Sequence, residues 1–243
     1  MTMAYQWQWS VFLQAPSAGQ TYLDWLLSGL GVTVALGLSA WVLALALGTL
    51  LDILRTLPNR VLSGVAACYV ELFRNVPLLV QIFLWYFAMP ELLPWGDAVK
   101  ALPPMTQQFL MAMLCLGMFT AARVCEQVRS GIESLPRGQK GAGLALGLTL
   151  GQTYRYVLLP MAMRVVLPPL TSEFLNIFKN SAVASTIGLL ELAAQGRQLV
   201  DYTAQPYEAF IAVTLAYMLI NICVMSLMRM LERRTSLPGM AGK

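Results

Sequence analysis

The chain contains no histidine. That excludes triads built on imidazole and the common histidine metal sites. Charge is also scarce: Asp, Glu, Lys and Arg make up 12% of the 243 residues, against about 25% in soluble domains. Cys68, Cys115, Cys125 and Cys223 fall in or near apolar runs and form no C-x-x-C pair. They read as free thiols rather than disulfides or a zinc site. No G-x-x-x-x-G-K-[ST] occurs, so the chain does not hold ATP through a P-loop. The N-terminus, MTMAYQWQWSVFLQAP, lacks a cationic start and a long apolar core, which is not the pattern of a cleavable signal peptide. Its Trp7, Trp9 and Phe12 suit an interfacial anchor.

In place of these the chain is apolar. It is 58% hydrophobic with a mean hydropathy of +0.63, the composition of an integral membrane protein. The net charge of +4 is read through loop placement, because no soluble basic domain is there to bind nucleic acid. Between Asp24 and Asp52 no residue is charged, and a helix needs about 20 residues to cross the hydrocarbon. Residues 25–51 are therefore the first span, with Gly31, Ala35, Gly37, Ser39, Ala44 and Gly48 permitting close helix packing. Residues 61–89 form the second, where Pro77 is expected to kink or break the helix. Residues 90–104 read as a polar, proline-rich loop. Residues 107–124 form the third span, 161–184 the fourth with a bend at Pro168-Pro169, and 209–228 the fifth. Residues 186–202 are amphipathic, a short helix at the outer surface.

The fold class is thus an all-α membrane protein of about five transmembrane helices. Residues 1–24 are expected as a periplasmic or interfacial segment, 25–234 as one transmembrane domain and 235–243 as a cytoplasmic tail. If the loop after the third span is cytoplasmic, Arg55, Arg60, Arg123, Arg129, Arg137, Lys140, Arg155, Arg164, Arg229, Arg233, Arg234 and Lys243 fall inside. Only Lys100 and Arg197 then fall outside. The positive-inside rule selects this choice, with the N-terminus periplasmic and the C-terminus cytoplasmic.

That loop, residues 137–160, reads RGQKGAGLALGLTLGQTYRYVLLP. It has little side-chain bulk and is bracketed by Pro136 and Pro160, so a short helix pair that docks into a partner is expected. The stretch resembles the ATPase-coupling loop of ABC importer permeases. Gly141, Ala142 and Gly143 stand at its E-A-A positions, Gly147 at the motif glycine, and Val157, Leu159 and Pro160 close it. Gly141 departs from the usual glutamate.

Polar groups inside spans face a cavity or a partner as a rule. Two clusters stand out: Glu71, Arg74, Asn75 and Gln81, and Glu173, Asn176, Lys179 and Asn180. Glu71 and Arg74 are spaced for an i, i+3 ion pair, and Asn176, Lys179 and Asn180 share one helix face. One reading makes Glu71–Arg74 a structural pair at a helix junction. The other gives Arg74 and Lys179 to an anionic substrate, with the asparagines supplying neutral hydrogen bonds. Lys179 at a helix end also suits snorkelling to the interface.

The run ELFRNVPLLVQ, Glu71–Gln81, resembles the signature of polar amino acid importer permeases, and similarity extends over nearly the whole chain, FLNIFKNSAVASTIGL included. The resemblance implies a type I ABC importer architecture in the bacterial inner membrane. It implies a subunit that is not itself an enzyme, with a cytoplasmic ABC ATPase dimer, a second and non-identical permease chain, and a periplasmic amino-acid-binding protein. The cargo it implies is glutamate or aspartate; the alternative is a polar amino acid of the glutamine, arginine or histidine type. No cofactor is expected on this chain, ATP and Mg belonging to the ATPase. The substrate path is assigned to Arg74, Asn75, Asn176, Lys179, Asn180 and Ser181, and the coupling contact to Gly141, Ala142, Gly143, Gly147 and Pro160. Two other classes are weighed against this. A self-sufficient secondary transporter lacks an inverted repeat here, and a membrane enzyme lacks histidine and paired carboxylates.

Overall fold

The computed structural model describes residues 5–16, 19–56, 59–136 and 138–235. Arg137, the side chains of Lys140 and Arg234, Lys243 and residues 236–243 of the expected tail lie outside that description, as do residues 1–4. The helices are α1 (Tyr22–Thr56), α2 (Arg60–Asn75), α3 (Leu78–Phe83), α4 (Met89–Leu92), α5 (Gly96–Lys100), α6 (Pro104–Glu133), α7 (Gly138–Ala145), α8 (Leu150–Thr153), α9 (Leu159–Asn180), α10 (Leu192–Thr203) and α11 (Pro206–Thr235). Single 3₁₀ or π turns lie at Trp9–Leu13, Leu84–Ala88, Tyr154–Leu158 and Ser181–Ile187. Three helices are long and apolar enough to cross a membrane, or five if each broken pair counts as one span. This is the all-α, five-span reading.

Local chemistry accounts for the helix ends. At the start of α1, Thr21 N donates to Asp24 Oδ2 at 2.8 Å and Asp24 N donates to Thr21 Oγ1 at 3.2 Å, a reciprocal cap. Asn59 Oδ1 accepts from the amides of Val61 and Leu62 and opens α2. Between α2 and α3, Val76 is extended (φ −96°, ψ 130°) ahead of Pro77, so the helix breaks where the pyrrolidine ring disfavours helical geometry in the residue before it. Pro168 and Pro169 behave differently, for α9 runs through both without a break. Proline φ suits a helix, and the Thr171 hydroxyl donates to the Leu167 carbonyl at 3.0 Å within the same turn. The expected loop at 90–104 contains α5, where Lys100 pairs with Glu91 at 2.7 Å and Asp97 at 3.6 Å.

The chain divides into two compact units. The first comprises Met1–Ala40, Pro77–Leu116 and Ile177–Ile222. Its core gathers Val11, Tyr22, Leu26, Leu192, Leu199, Ala209 and Val213. The amphipathic segment therefore packs into this core, and its helix begins at Leu192, later than the expected Thr186. Leu192, Gln195, Gly196 and Leu199 give it one buried face at helical spacing. Glu191 caps it, accepting from Ala193 N at 2.9 Å and Ala194 N at 2.8 Å. Tyr217 donates to the same carboxylate at 2.8 Å. Burial pushes the Glu191 carboxyl up from its ordinary value, and these donors oppose that rise.

The second unit comprises Trp41–Val76, Gly117–Asn176 and Cys223–Lys243. Leu51, Ala66, Val70, Ala121, Ala122 and Cys125 form its core. A Cβ added to Gly48 would lie 2.7 Å from the Val124 side chain, so α1 and α6 meet there over a residue without one.

Candidate functional site

The coupling stretch lies in the second unit as two short helices joined by a tight turn. α7 ends at Ala145 and is followed by a turn through Gly147, whose φ of +80° is left-handed. The amide of Gly147 donates to Leu144 O at 3.0 Å and that of Leu148 to Gly143 O at 3.2 Å, so the last carbonyls of the helix are satisfied. Thr149 and Gln152 then cap α8 reciprocally, at 2.8 Å and 3.3 Å. The T-x-x-Q spacing was visible in the sequence as a helix start, and sequence reasoning missed it.

Gly143 and Gly147 owe their glycines to the chain itself. A Cβ on Gly143 would stand 2.6 Å from Thr153 Cγ2, and Gly143 is buried against that side chain. Gly147 is exposed and is required for its backbone turn. What faces outward is Gly138, Gly141, Ala142, Leu144, Ala145 and Leu146, the last 81% exposed. Pro160 is half-buried in the first turn of α9.

The charged cluster at the end of α2 differs from the expected i, i+3 pair. Arg74 ion-pairs with Glu126 of α6, and the other oxygen of that carboxylate takes Arg55 of α1 at 2.9 Å. Glu71 is instead engaged by Asn75, whose Nδ2 donates to Oε2 at 3.0 Å and to the Glu71 carbonyl at 2.8 Å. The expected Glu71–Arg74 pair is corrected on these contacts. A half-buried carboxylate shared by two guanidiniums forms more charge-assisted hydrogen bonds than an exposed neighbour one turn away. Both functional groups of the Arg74-Asn75 pair are thus occupied within the second unit.

Asn176, Lys179 and Asn180 follow at i, i+3 and i+4 on α9, with Lys179 exposed and the asparagines half-buried. No salt bridge to Lys179 occurs among the described residues. Ser181 is fully buried in the first unit and donates to Phe178 O at 2.7 Å.

Sequence reasoning placed Arg123 at the inner interface. It lies within the apolar helix α6, its guanidinium 4.6 Å from the Phe119 ring centre. Its Nε is buried with no hydrogen-bond partner among the described residues. Buried Glu173 of α9 is its electrostatic counterpart in the second unit. The F-x-x-x-R spacing, one cation over an aromatic ring a turn away, was the available signal. The described residues contain no group of three or more His, Cys, Asp or Glu able to hold a metal.

Residues 41–237 match the family model described as the binding-protein-dependent transport system inner membrane component. The chain belongs to that family. The chain is similar to the glutamate/aspartate import permease protein GltJ of Escherichia coli (strain K12), 59% identical over 99% of this chain and 100% of GltJ. The glutamine transport system permease protein GlnP of the same organism is 30% identical over 94% of this chain and 98% of GlnP. Among solved structures, an amino acid ABC transporter crystallised with histidines gives a TM-score of 0.74 at 28% identity, covering 88% of this chain and 95% of that one. The family fold places this chain among permease subunits of inner-membrane transporters.

Proposed function

We propose that this permease is half of the translocation path of an ATP-driven importer, moving glutamate or aspartate from the periplasm to the cytoplasm. The observation that carries the reading is α7 with its capped turn. It is a short helix outside every candidate span, fixed by its own hydrogen bonds, that leaves Leu144 and Leu146 bare. Such a surface is one to be covered, and we assign its cover to a cytoplasmic ABC ATPase dimer. ATP and Mg are bound there and not on this chain. Gly141, Ala142, Leu144 and Leu146 form the contact in this reading. Gly143, Gly147 and Pro160 shape the segment that presents it.

The acidic cargo rests on the full-length identity with GltJ, about twice that with GlnP. A second, non-identical permease chain and a periplasmic amino-acid-binding protein complete the assembly. The lysine and arginine distribution puts the N-terminus in the periplasm and the C-terminus in the cytoplasm. Movement of the docked helix on ATP turnover rocks the packed spans and alternates access. Of the six residues assigned to the path, Lys179 with Asn176 and Asn180 leads, because Arg74 and Asn75 are already engaged and Ser181 is buried. The test is to purify the chain with its ATPase and partner permease and reconstitute them in vesicles loaded with ATP. Labelled glutamate, aspartate and glutamine are then offered on the binding protein. Uptake of the two acids above glutamine is expected. Preferential uptake of glutamine would move the cargo to the alternative polar class, and no retention of an ATPase would end the importer reading.

A further inference from the structure

Residues 5–16 precede the first span, yet they are fastened to the first unit. The Tyr5 hydroxyl donates to the Glu208 carboxylate, and Gln8 N donates to its other oxygen at 2.7 Å. Glu208 is completely buried, Val11 lies in the core beside Ala209 and Val213, and Tyr22 N donates to Gln14 O at 3.1 Å. A segment held at both ends and in the middle is a built surface. What it turns outward is Trp7, Trp9 and Leu13, which are 55%, 52% and 73% exposed. The Trp7 and Trp9 rings stack with centres 5.7 Å apart, and Tyr207 packs against Trp7 and edge-on to Tyr5. From Tyr207 an apolar groove of ≈ 350 Å³ runs along α11, lined by Pro206, Tyr207, Phe210, Ile211, Thr214 and Leu215.

Three features select lipid as the occupant. The segment carries no charged side chain before Asp24, and the carboxylate that fastens it, Glu208, is turned inward. Protein interfaces by contrast carry a polar rim. Its outward groups are indoles interleaved with the exposed amides of Gln6 and Gln8, which suits the headgroup layer, where tryptophan and tyrosine concentrate because the ring is apolar and its N–H or O–H is wet. The patch is also continuous with the exposed apolar flank of α11, a helix long and apolar enough to cross a membrane. We propose that residues 5–16 and the first two turns of α11 form a lipid-binding strap. Its stacked indoles lie in the headgroup layer of the leaflet where α11 begins, and an acyl chain occupies the groove below Tyr207. This stands independently of which amino acid is carried and of which face is periplasmic.

The test places a nitroxide at Leu13→Cys in the full chain, with the four native cysteines changed to alanine. The assembled permease is reconstituted in vesicles of phosphatidylethanolamine and phosphatidylglycerol. Collision of the label with oxygen and with a water-soluble nickel chelate is measured by paramagnetic resonance. Oxygen collisions are expected to exceed nickel collisions at Leu13→Cys, and a Trp7→Ser, Trp9→Ser background is expected to shift the balance toward nickel. Free collision with nickel in the parent would overturn the proposal. So would a label that becomes immobile only when the binding protein is added, since the surface would then be a protein dock.

Discussion

Two short helices flank the spans, and they finish differently. α10 buries Leu192, Gln195, Gly196 and Leu199, is capped by Glu191, and is tied to α1 where Leu192 N donates to Thr33 Oγ1 at 3.1 Å. Among its described residues α7 buries Gly143 against Thr153, and it leaves Leu144, with Leu146 just beyond its end, in the open. α7 too has a closed C-terminal turn, where the amides of Gly147 and Leu148 satisfy the last carbonyls. α10 completes its packing within the chain, whereas α7 keeps an exposed apolar surface that the proposed docking would cover. In a coupling subunit the second condition is the useful one, because a helix already satisfied at home gains little from a partner.

The largest effect that tests this contrast is on α10. Leu199→Ala removes a fully buried side chain and is expected to destabilise the chain by about 2–5 kcal/mol. That is read as a lowered thermal midpoint and poor recovery of the detergent-purified permease. Leu146→Ser, in the turn that follows α7, is expected to leave that midpoint within about 0.5 kcal/mol of the parent, as for other surface changes, while the ATPase is lost from the complex and uptake falls. A Leu146→Ser variant as unstable as Leu199→Ala would show that α7 is packed at home after all.

The elements of this fold were legible where local rules decide them. The uncharged run between Asp24 and Asp52 gave α1, and the residue before Pro77 marked the break between α2 and α3. Glycine at 147 was legible as special, though its reason is a left-handed turn that ends α7. What stayed hidden involves residues far apart in sequence. Glu126 lies 52 positions from Arg74, and an i, i+3 rule supplies Glu71 because it knows no other candidate. The burial of Gly143 depends on Thr153 folding back beneath it. The burial of α10 depends on α1 and α11. Arg123 was sorted with the loop cations, and the Phe119 ring one turn back, 4.6 Å from its guanidinium, was not read as its neighbour.

The same contrast between local and distant partners sets the next expectation. Glu126→Gln withdraws the charge shared by Arg55 and Arg74 and leaves two cations without it. Loss of a buried or half-buried pair is costly because the surviving charge is stranded. Assembly and thermal stability are expected to fall clearly with Glu126→Gln. Glu71→Gln keeps an acceptor for Asn75 and is expected to change both little. Gel filtration and thermal denaturation of the two variants side by side decide it. Equal losses would restore the one-turn pairing that the sequence suggests.

The smallest effect concerns Lys179, and it separates a polar group at rest from one in use. Arg74 has Glu126, and Arg123 lies over the Phe119 ring. Lys179 is exposed at the end of α9, with Asn176 and Asn180 beside it on the helix face, and neither amide offsets its charge. If the lysine only snorkels, replacing it affects every cargo alike or none. If it meets the side-chain carboxylate of a passing glutamate or aspartate, the loss is selective. One charge-assisted hydrogen bond is worth about 1.5 kcal/mol or a little more, so Lys179→Met is expected to lower glutamate and aspartate uptake about tenfold. The complex should still be recovered intact, and residual glutamine uptake should be spared. The measurement is initial uptake by reconstituted vesicles, normalised to the amount of assembled transporter. A Lys179→Arg variant that restores the acids would fix the role as electrostatic. Equal losses for acidic and neutral cargo would take Lys179 off the path and return it to the membrane interface.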